Sequence, residues 1–131
     1  MPKLFARPIL AIAFGSFILC AETCLHWEGI VAPSSWIELP IHDWFAGALL
    51  VWGGLVARRS WNRGQPYQGA AWAFMASLLM AAFFAHYEEW RAGQSSDDWI
   101  SAGGFLAILG GLLLLALAGM AGTLRSRAGD L

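Results

Sequence analysis

Long runs of apolar residues alternate with short polar stretches along the chain, and this alternation predicts its secondary structure. A helix needs about 20 mostly apolar residues to cross a bilayer. Runs of this kind cover about 8–26, 40–57, 67–89 and 99–124. Short connections favour antiparallel packing of consecutive helices. The pattern therefore predicts an all-α integral membrane protein, with residues 1–131 forming a single domain folded as an up-down-up-down four-helix bundle.

The composition supports this prediction. Hydrophobic residues make up 58% of the 131 residues and charged residues 13%, whereas about a quarter of the residues in a soluble domain are charged. A soluble fold of this size cannot bury so much apolar surface, but a lipid bilayer accepts it. The sequence has no basic patch interleaved with aromatic residues, so we expect the bilayer, and not nucleic acid, as a partner.

The beginning of the chain has some features of a secretion signal, because Lys3 and Arg7 precede an apolar stretch. The residues before Cys20 are Phe17, Ile18 and Leu19, which are too bulky for an ordinary cleavage site. The apolar run also continues to Leu25. We therefore expect an uncleaved first membrane span.

Positive charge predicts the orientation of the four spans. All basic residues except Arg91 fall on one side of the predicted topology: Lys3, Arg7, Arg58, Arg59, Arg63, Arg125 and Arg127. Cytoplasmic segments are enriched in Lys and Arg. We therefore expect both termini and the middle connection to be cytoplasmic, most simply in a bacterial inner membrane. Most acids fall at the opposite, outer end: Glu22, Glu28, Glu38, Asp43, Glu88, Glu89, Asp97 and Asp98.

Glycine predicts how the helices pack. Lipid provides no hydrophobic drive for helix association, so membrane helices approach one another closely at small residues. Gly47, Gly53 and Gly54 lie in the second span. The fourth span has several more, and Ala107 and Gly111 there form a small-xxx-small pair. These residues predict close packing within the bundle or between copies of the chain.

All three histidines are predicted at the outer end, each with a carboxylate within one turn. Glu22 and His26 are four residues apart on the first helix, and His86 and Glu89 are three apart on the third, so each pair shares a helix face. His42 and Asp43 open the second helix, and both faces there carry small residues that suit the bundle interior. Glu22 is about 22 Å along the helix from Arg7 at about 1.5 Å per residue, at a depth where an unpaired charge is costly.

This cluster predicts a transition-metal site with six candidate ligands: Glu22, His26, His42, Asp43, His86 and Glu89. Mixed nitrogen and oxygen ligands suit zinc, iron or manganese. A metalloenzyme acting on a membrane-soluble substrate would use Glu22 or Glu89 as the general base. No HExxH or comparable signature is present.

Several alternatives remain open from the sequence. The cluster is also explained by a hydrogen-bonded polar cap, by proton handling or by an organic cofactor. A b-type haem would need two facing histidines, such as His26 and His86. Small size and glycine-rich helices also fit a homo-oligomer or a non-catalytic accessory subunit of a larger membrane complex. A proton path across the membrane is disfavoured, because the inner halves of the spans lack ionisable residues.

Cys20 and Cys24 are four residues apart on the first helix and form no CxxC motif. Their displacement by two positions from Glu22 and His26 places them near the opposite side of that helix. Unpaired cysteines are usually buried, so we expect both to be small packing residues. Thiolate metal ligation and an intermolecular disulfide are the alternatives.

Overall fold

A computed structural model of the protein describes residues 7–31, 39–93 and 101–126. All regular secondary structure in these ranges is helical, which confirms the predicted all-α class. The helices are α1 (Pro8–Leu25), α2 (Trp27–Val31), α3 (Ile41–Arg59), α4 (Trp61–Arg91) and α5 (Ala102–Arg125). The beginning of the predicted fourth span, at 99–100, lies outside the described residues, as do Lys3 and Arg127.

Within the described residues, three helices are long and apolar enough to cross a membrane: α1, α4 and α5. This agrees with the predicted integral membrane protein. Helix α3 has 19 residues but is not in that group. It carries His42 and Asp43 in its first turn and Arg58 and Arg59 in its last, which lower its mean hydropathy.

Helix α4 begins earlier than the sequence predicts. The sequence predicts a connection over 58–66, between the second and third spans, but α4 starts at Trp61 and continues through Pro66. Only Ser60 separates α3 from α4. Polar residues mark where the apolar part of a helix ends, yet the helix itself can continue beyond it as long as its backbone stays hydrogen-bonded. The Gly64 amide, for example, donates to the Ser60 carbonyl over 2.9 Å.

Helices α1 and α3 pack antiparallel through glycine. A Cβ atom built on Gly15 would lie 2.6 Å from the carbonyl oxygen of Gly47, and one on Gly47 would lie 3.0 Å from that of Gly15. One Cβ on Gly54 would lie 2.8 Å from the Pro8 carbonyl oxygen. The two backbones are therefore too close at both crossings for any larger residue, as the glycine pattern of the second span predicts.

Helices α3 and α4 form a tight antiparallel hairpin. Gly64 faces the backbone of Ala57 so closely that there is no room for a side chain. Farther from the turn at Ser60, a Cβ on Gly53 would lie 3.1 Å from the backbone of Gln68. Glycine on each helix thus allows the chain to reverse direction around the single residue Ser60.

Helices α4 and α5 are joined by an aromatic contact and a polar one. The Trp72 indole, 1% exposed, lies over Gly119, where a Cβ would be 2.5 Å from the ring. One helical turn before Trp72 on α4, Gln68 Nε2 donates to Thr123 Oγ1 over 3.2 Å, and both residues are fully buried. Gln65 Nε2 donates to the carbonyl oxygen of Thr123 over 2.8 Å. These contacts fix the inner end of α5 against α4.

Each long helix therefore packs extensively on the next one in the chain, whereas α1 and α5 share no extensive contact. Trp72 on α4 lies between them and contacts Phe14 of α1, with ring centroids 5.3 Å apart. An apolar opening remains between α1 and α5 beside this tryptophan. We refer to it as the α1–α5 cleft.

Replacing Gly15 with alanine is expected to destabilise the protein, because the new methyl group meets the backbone of α3. Overpacking of this kind costs about 1–3 kcal/mol. The measurement is the thermal unfolding midpoint of the purified protein in detergent. Gly111→Ala is the matched control, since no atom lies within 4 Å of the position of its Cβ. Equal midpoints for the two variants would contradict the close approach of α1 and α3.

Candidate functional site

The six candidate residues lie at the same end of three antiparallel helices. Glu22 is in the last turn of α1 and His26 caps it; His42 and Asp43 are in the first turn of α3; His86 and Glu89 are near the end of α4. The helix directions that the glycine contacts impose account for this shared end. Contacts between the side chains decide which of them act together.

On α1, Glu22 and His26 form a local pair. His26 Nδ1 is 3.1 Å from the carbonyl oxygen of Glu22 and 3.4 Å from its Oε2 atom. A carbonyl oxygen only accepts hydrogen bonds, so Nδ1 is the donor in that contact. The Glu22 side chain is 23% exposed and that of His26 42%. The pair thus lies at the edge of the helix packing, not deep within it.

On α3, His42 and Asp43 differ in their surroundings. Asp43 is half-buried and lies within electrostatic range of Glu22, His26 and His42. His42 is exposed, although its spacing from Ala46 and Gly53 suggested that it faces the bundle interior. Neighbouring residues on a helix point in directions about 100° apart, so Asp43 can face α1 while His42 does not. Asp43 is the residue that joins α3 to the α1 pair.

On α4, His86 and Glu89 form a second local pair, with Nδ1 3.0 Å from Oε2. The side chains are 43% and 55% exposed. The imidazole packs edge-on against Phe105 of α5, with ring centroids 4.9 Å apart. This pair therefore belongs to the α4–α5 interface and is directed toward α5.

The predicted cluster is thus divided into an α1–α3 group of Glu22, His26, His42 and Asp43, and an α4 pair of His86 and Glu89. Among the described residues, no group of three or more His, Cys, Asp or Glu side chains is arranged to hold a metal ion. The two predicted general bases, Glu22 and Glu89, belong to different groups.

The remaining outer acids that the structure describes are at the surface. Glu28 is exposed on α2, and Glu88 is exposed beside Arg91, with 3.9 Å between its Oε2 atom and the arginine Nε. Glu38, Asp97 and Asp98 lie outside the described residues. Cys20 and Cys24 are unpaired and exposed, so the expectation that they are packing residues within this chain is wrong. Their side of α1 faces away from α3.

The polar contact of Gln65, Gln68 and Thr123 at the inner end was not predicted from the sequence, because these side chains are neutral. The available signal was a glutamine within the apolar run of the third span and a threonine near the end of the fourth, since a buried amide in a membrane helix needs a partner. This contact stabilises helix packing and offers no reactive group.

No family model matches the sequence, and no curated protein or solved structure matches it.

Alanine substitution of His26 and of His86 is expected to have small and additive effects on stability. Each removes a partly exposed pair on one helix, and such pairs contribute about 0.2–1 kcal/mol. Independent sites add to within about 0.5 kcal/mol. The free energy of unfolding of the two single variants and the double variant, measured with denaturant in detergent, tests this expectation.

Glu28→Ala serves as the control, because this exposed acid belongs to neither group. Metal content of the same preparations is measured by inductively coupled plasma mass spectrometry. Strong non-additivity, together with stoichiometric zinc, iron or manganese that both substitutions remove, would show that the two groups form one metal site.

Proposed function

We propose that all four long helices span the membrane, with both termini and the α3–α4 turn on the cytoplasmic side of a bacterial inner membrane. The proposal for α3 is supported by its packing along two helices that are long and apolar enough to span. It contacts α1 at Gly47 and Gly54 and α4 at Gly53, over most of its length. The exposed residues along this length of α3 include Phe45, Trp52 and Leu55, which suit a lipid environment.

The orientation is supported by charge at the helix ends. Arg58, Arg59, Arg63 and Arg125 are exposed where α3 and α5 end and α4 begins, and Arg7 precedes α1 at the same end. By the positive-inside tendency this end is cytoplasmic. The groups of histidines and acids are then at the periplasmic end.

Cysteine labelling in intact cells tests both the orientation and the spanning of α3. In a background with Cys20→Ser and Cys24→Ser, we expect Glu28→Cys to react with a membrane-impermeant maleimide before lysis. We expect Asn62→Cys to react only after lysis. Both positions are exposed. Reaction at both before lysis would mean that α3 does not cross the membrane, and the reverse pattern would invert the orientation.

We infer that the protein acts as a non-catalytic accessory or assembly subunit of a larger membrane complex, with its outer polar residues forming a structural cap. The observation that carries this inference is the local pairing of His26 with Glu22 and of His86 with Glu89. Each imidazole contacts a carboxylate three or four residues away in the chain, and His26 also donates to the Glu22 carbonyl oxygen. This arrangement satisfies polar groups at a helix end without making them converge on a substrate.

The outer half of α5 provides the surface that best fits a partner helix. Gly103, Ala107 and Gly111 are exposed and follow one another at intervals of four residues. No atom lies within 4 Å of a Cβ built on Gly103 or Gly111. In the described part of the chain, glycine allows close approach at each of the three extensive helix interfaces. Small residues at this spacing favour helix association in lipid. A spanning helix of another protein is the partner we propose for this face.

Metal binding with Glu22 or Glu89 as general base is the alternative function. It is supported by the charge interactions among Glu22, His26, His42 and Asp43. The metal measurement described above distinguishes it from the structural cap. Stoichiometric metal in the wild-type protein would favour the alternative.

Affinity purification in mild detergent tests the accessory role. We expect the tagged chain to co-purify with another membrane protein, and Gly111→Leu to reduce recovery of that protein by about tenfold or more, because interface packing losses of about 1.4 kcal/mol change affinity tenfold. Ala81→Leu is the matched control, since Ala81 is exposed on α4 at a similar depth. An unaccompanied chain, or equal recovery with both variants, would contradict the proposal. Co-purification of differently tagged copies would indicate a homo-oligomer instead.

A further inference from the structure

The α1–α5 cleft is an apolar cavity of about 270 Å³ between two helices that do not pack closely. Leu10, Phe14 and Phe17 line it from α1, Leu112 and Leu115 from α5, and Trp72 forms its back wall. Phe17 is 55% exposed, so the cleft opens sideways, away from the rest of the helices. In a bilayer this opening faces the lipid acyl chains.

The lining restricts what can occupy the cleft. Small-molecule sites are usually about 300–1,000 Å³ and include a few polar groups that orient the ligand. The cleft is smaller, and the side chains that line it are hydrocarbon or aromatic. Apolar cavities do not hold water. A stretch of flexible hydrocarbon chain fits both the size and the lining, whereas a compact polar cofactor fits neither.

The helix contacts also show where the cleft ends. Pro8 of α1 is level with Gly54 of α3, the neighbouring Gly53 with Gln68 of α4, and Gln68 with Thr123 of α5. The first residue of α1 and the last turn of α5 are therefore at one level. Trp72 is one helical turn from Gln68 toward the membrane centre, about 6 Å along the axis.

Arg7 and Arg125 follow directly from this register. Arg7 is one residue beyond Pro8, and Arg125 is two residues beyond Thr123, toward the same membrane surface. Both are exposed, and they end the two helices that form the walls of the cleft. Positive charge thus flanks the surface end of an apolar groove, which is the pattern of sites between membrane helices that bind anionic lipid headgroups.

We propose that the α1–α5 cleft binds one acyl chain of an anionic phospholipid whose phosphate is bound by Arg7 and Arg125. Charge complementarity at the surface end and an apolar lining toward the membrane centre together define this ligand. The inference is independent of the accessory role, because it requires only that α1, α4 and α5 lie in a bilayer. It assigns the α1–α5 cleft to a lipid and leaves the outer half of α5 to the partner helix proposed above.

Native mass spectrometry of the detergent-purified protein tests the proposal by titration with dioleoyl phosphatidylglycerol and dioleoyl phosphatidylcholine. We expect one phosphatidylglycerol molecule to bind per chain more tightly than phosphatidylcholine does. The double variant Arg7→Gln/Arg125→Gln is expected to lose on the order of tenfold in affinity for phosphatidylglycerol, because it removes both basic residues that attract the anionic headgroup. Ala13→Phe, which fills the cleft from α1, is expected to reduce binding of both lipids.

Two controls match these variants. Arg58→Gln/Arg59→Gln removes the same charge at the same surface from α3, away from the cleft, and Ser16→Phe adds the same bulk at an exposed position of α1 outside the lining. Equal binding of the two lipids by the wild-type protein would overturn the proposal. An equal loss in variant and control would also overturn it. If Ala13→Phe proves unstable in a thermal unfolding scan, Leu115→Trp is used in its place, because it fills the cleft from the opposite wall. Undiminished lipid binding by the Leu115→Trp variant would then overturn the proposal.

Discussion

Close approach of helix backbones is the interaction on which this structure depends. Where helices are surrounded by lipid, burying apolar side chains gives little advantage, and association relies on van der Waals contact and interhelical hydrogen bonds. Gly15 and Gly47 bring α1 against α3, Gly64 brings α4 against Ala57, and Gly119 accommodates Trp72. Each contact leaves no room for a Cβ atom. The register of the helices, and with it the position of every candidate residue, follows from these three contacts.

The division of the histidine and carboxylate residues illustrates this dependence. The glycine crossings place the outer ends of α1 and α3 together, so that Asp43 interacts with Glu22 and His26. At the same end, His86 of α4 packs against Phe105 of α5. The same packing that gathers these residues at one end therefore assigns them to two interfaces. Shared depth alone does not bring side chains into contact.

Patterns within one helix were predictable from the sequence, and relations between helices were much less so. The apolar runs predicted the all-helical class, and residue spacing predicted that Glu22 with His26, and His86 with Glu89, share a face. Spacing on a helix does not define the rotation of that helix toward its neighbours, so the exposure of His42 and of Cys20 and Cys24 was not predictable. The start of α4 was not predictable from the sequence for a related reason. Charge and proline at 58–66 indicate the membrane boundary, whereas the helix start depends on the contact between Gly64 and Ala57.

The single-residue turn at Ser60 has a consequence for how the chain enters the membrane. Of the four long helices that the structure describes, α3 is the one that is not among those long and apolar enough to cross a membrane, and it has ionisable residues at both ends. Because only one residue connects it to α4, the two helices cannot be separated by more than a few ångströms at that end. In the proposed four-span topology, α3 and the apolar segment of α4 therefore enter the lipid together as one hairpin. The strongly apolar segment of α4 then offsets the weaker tendency of α3 to insert.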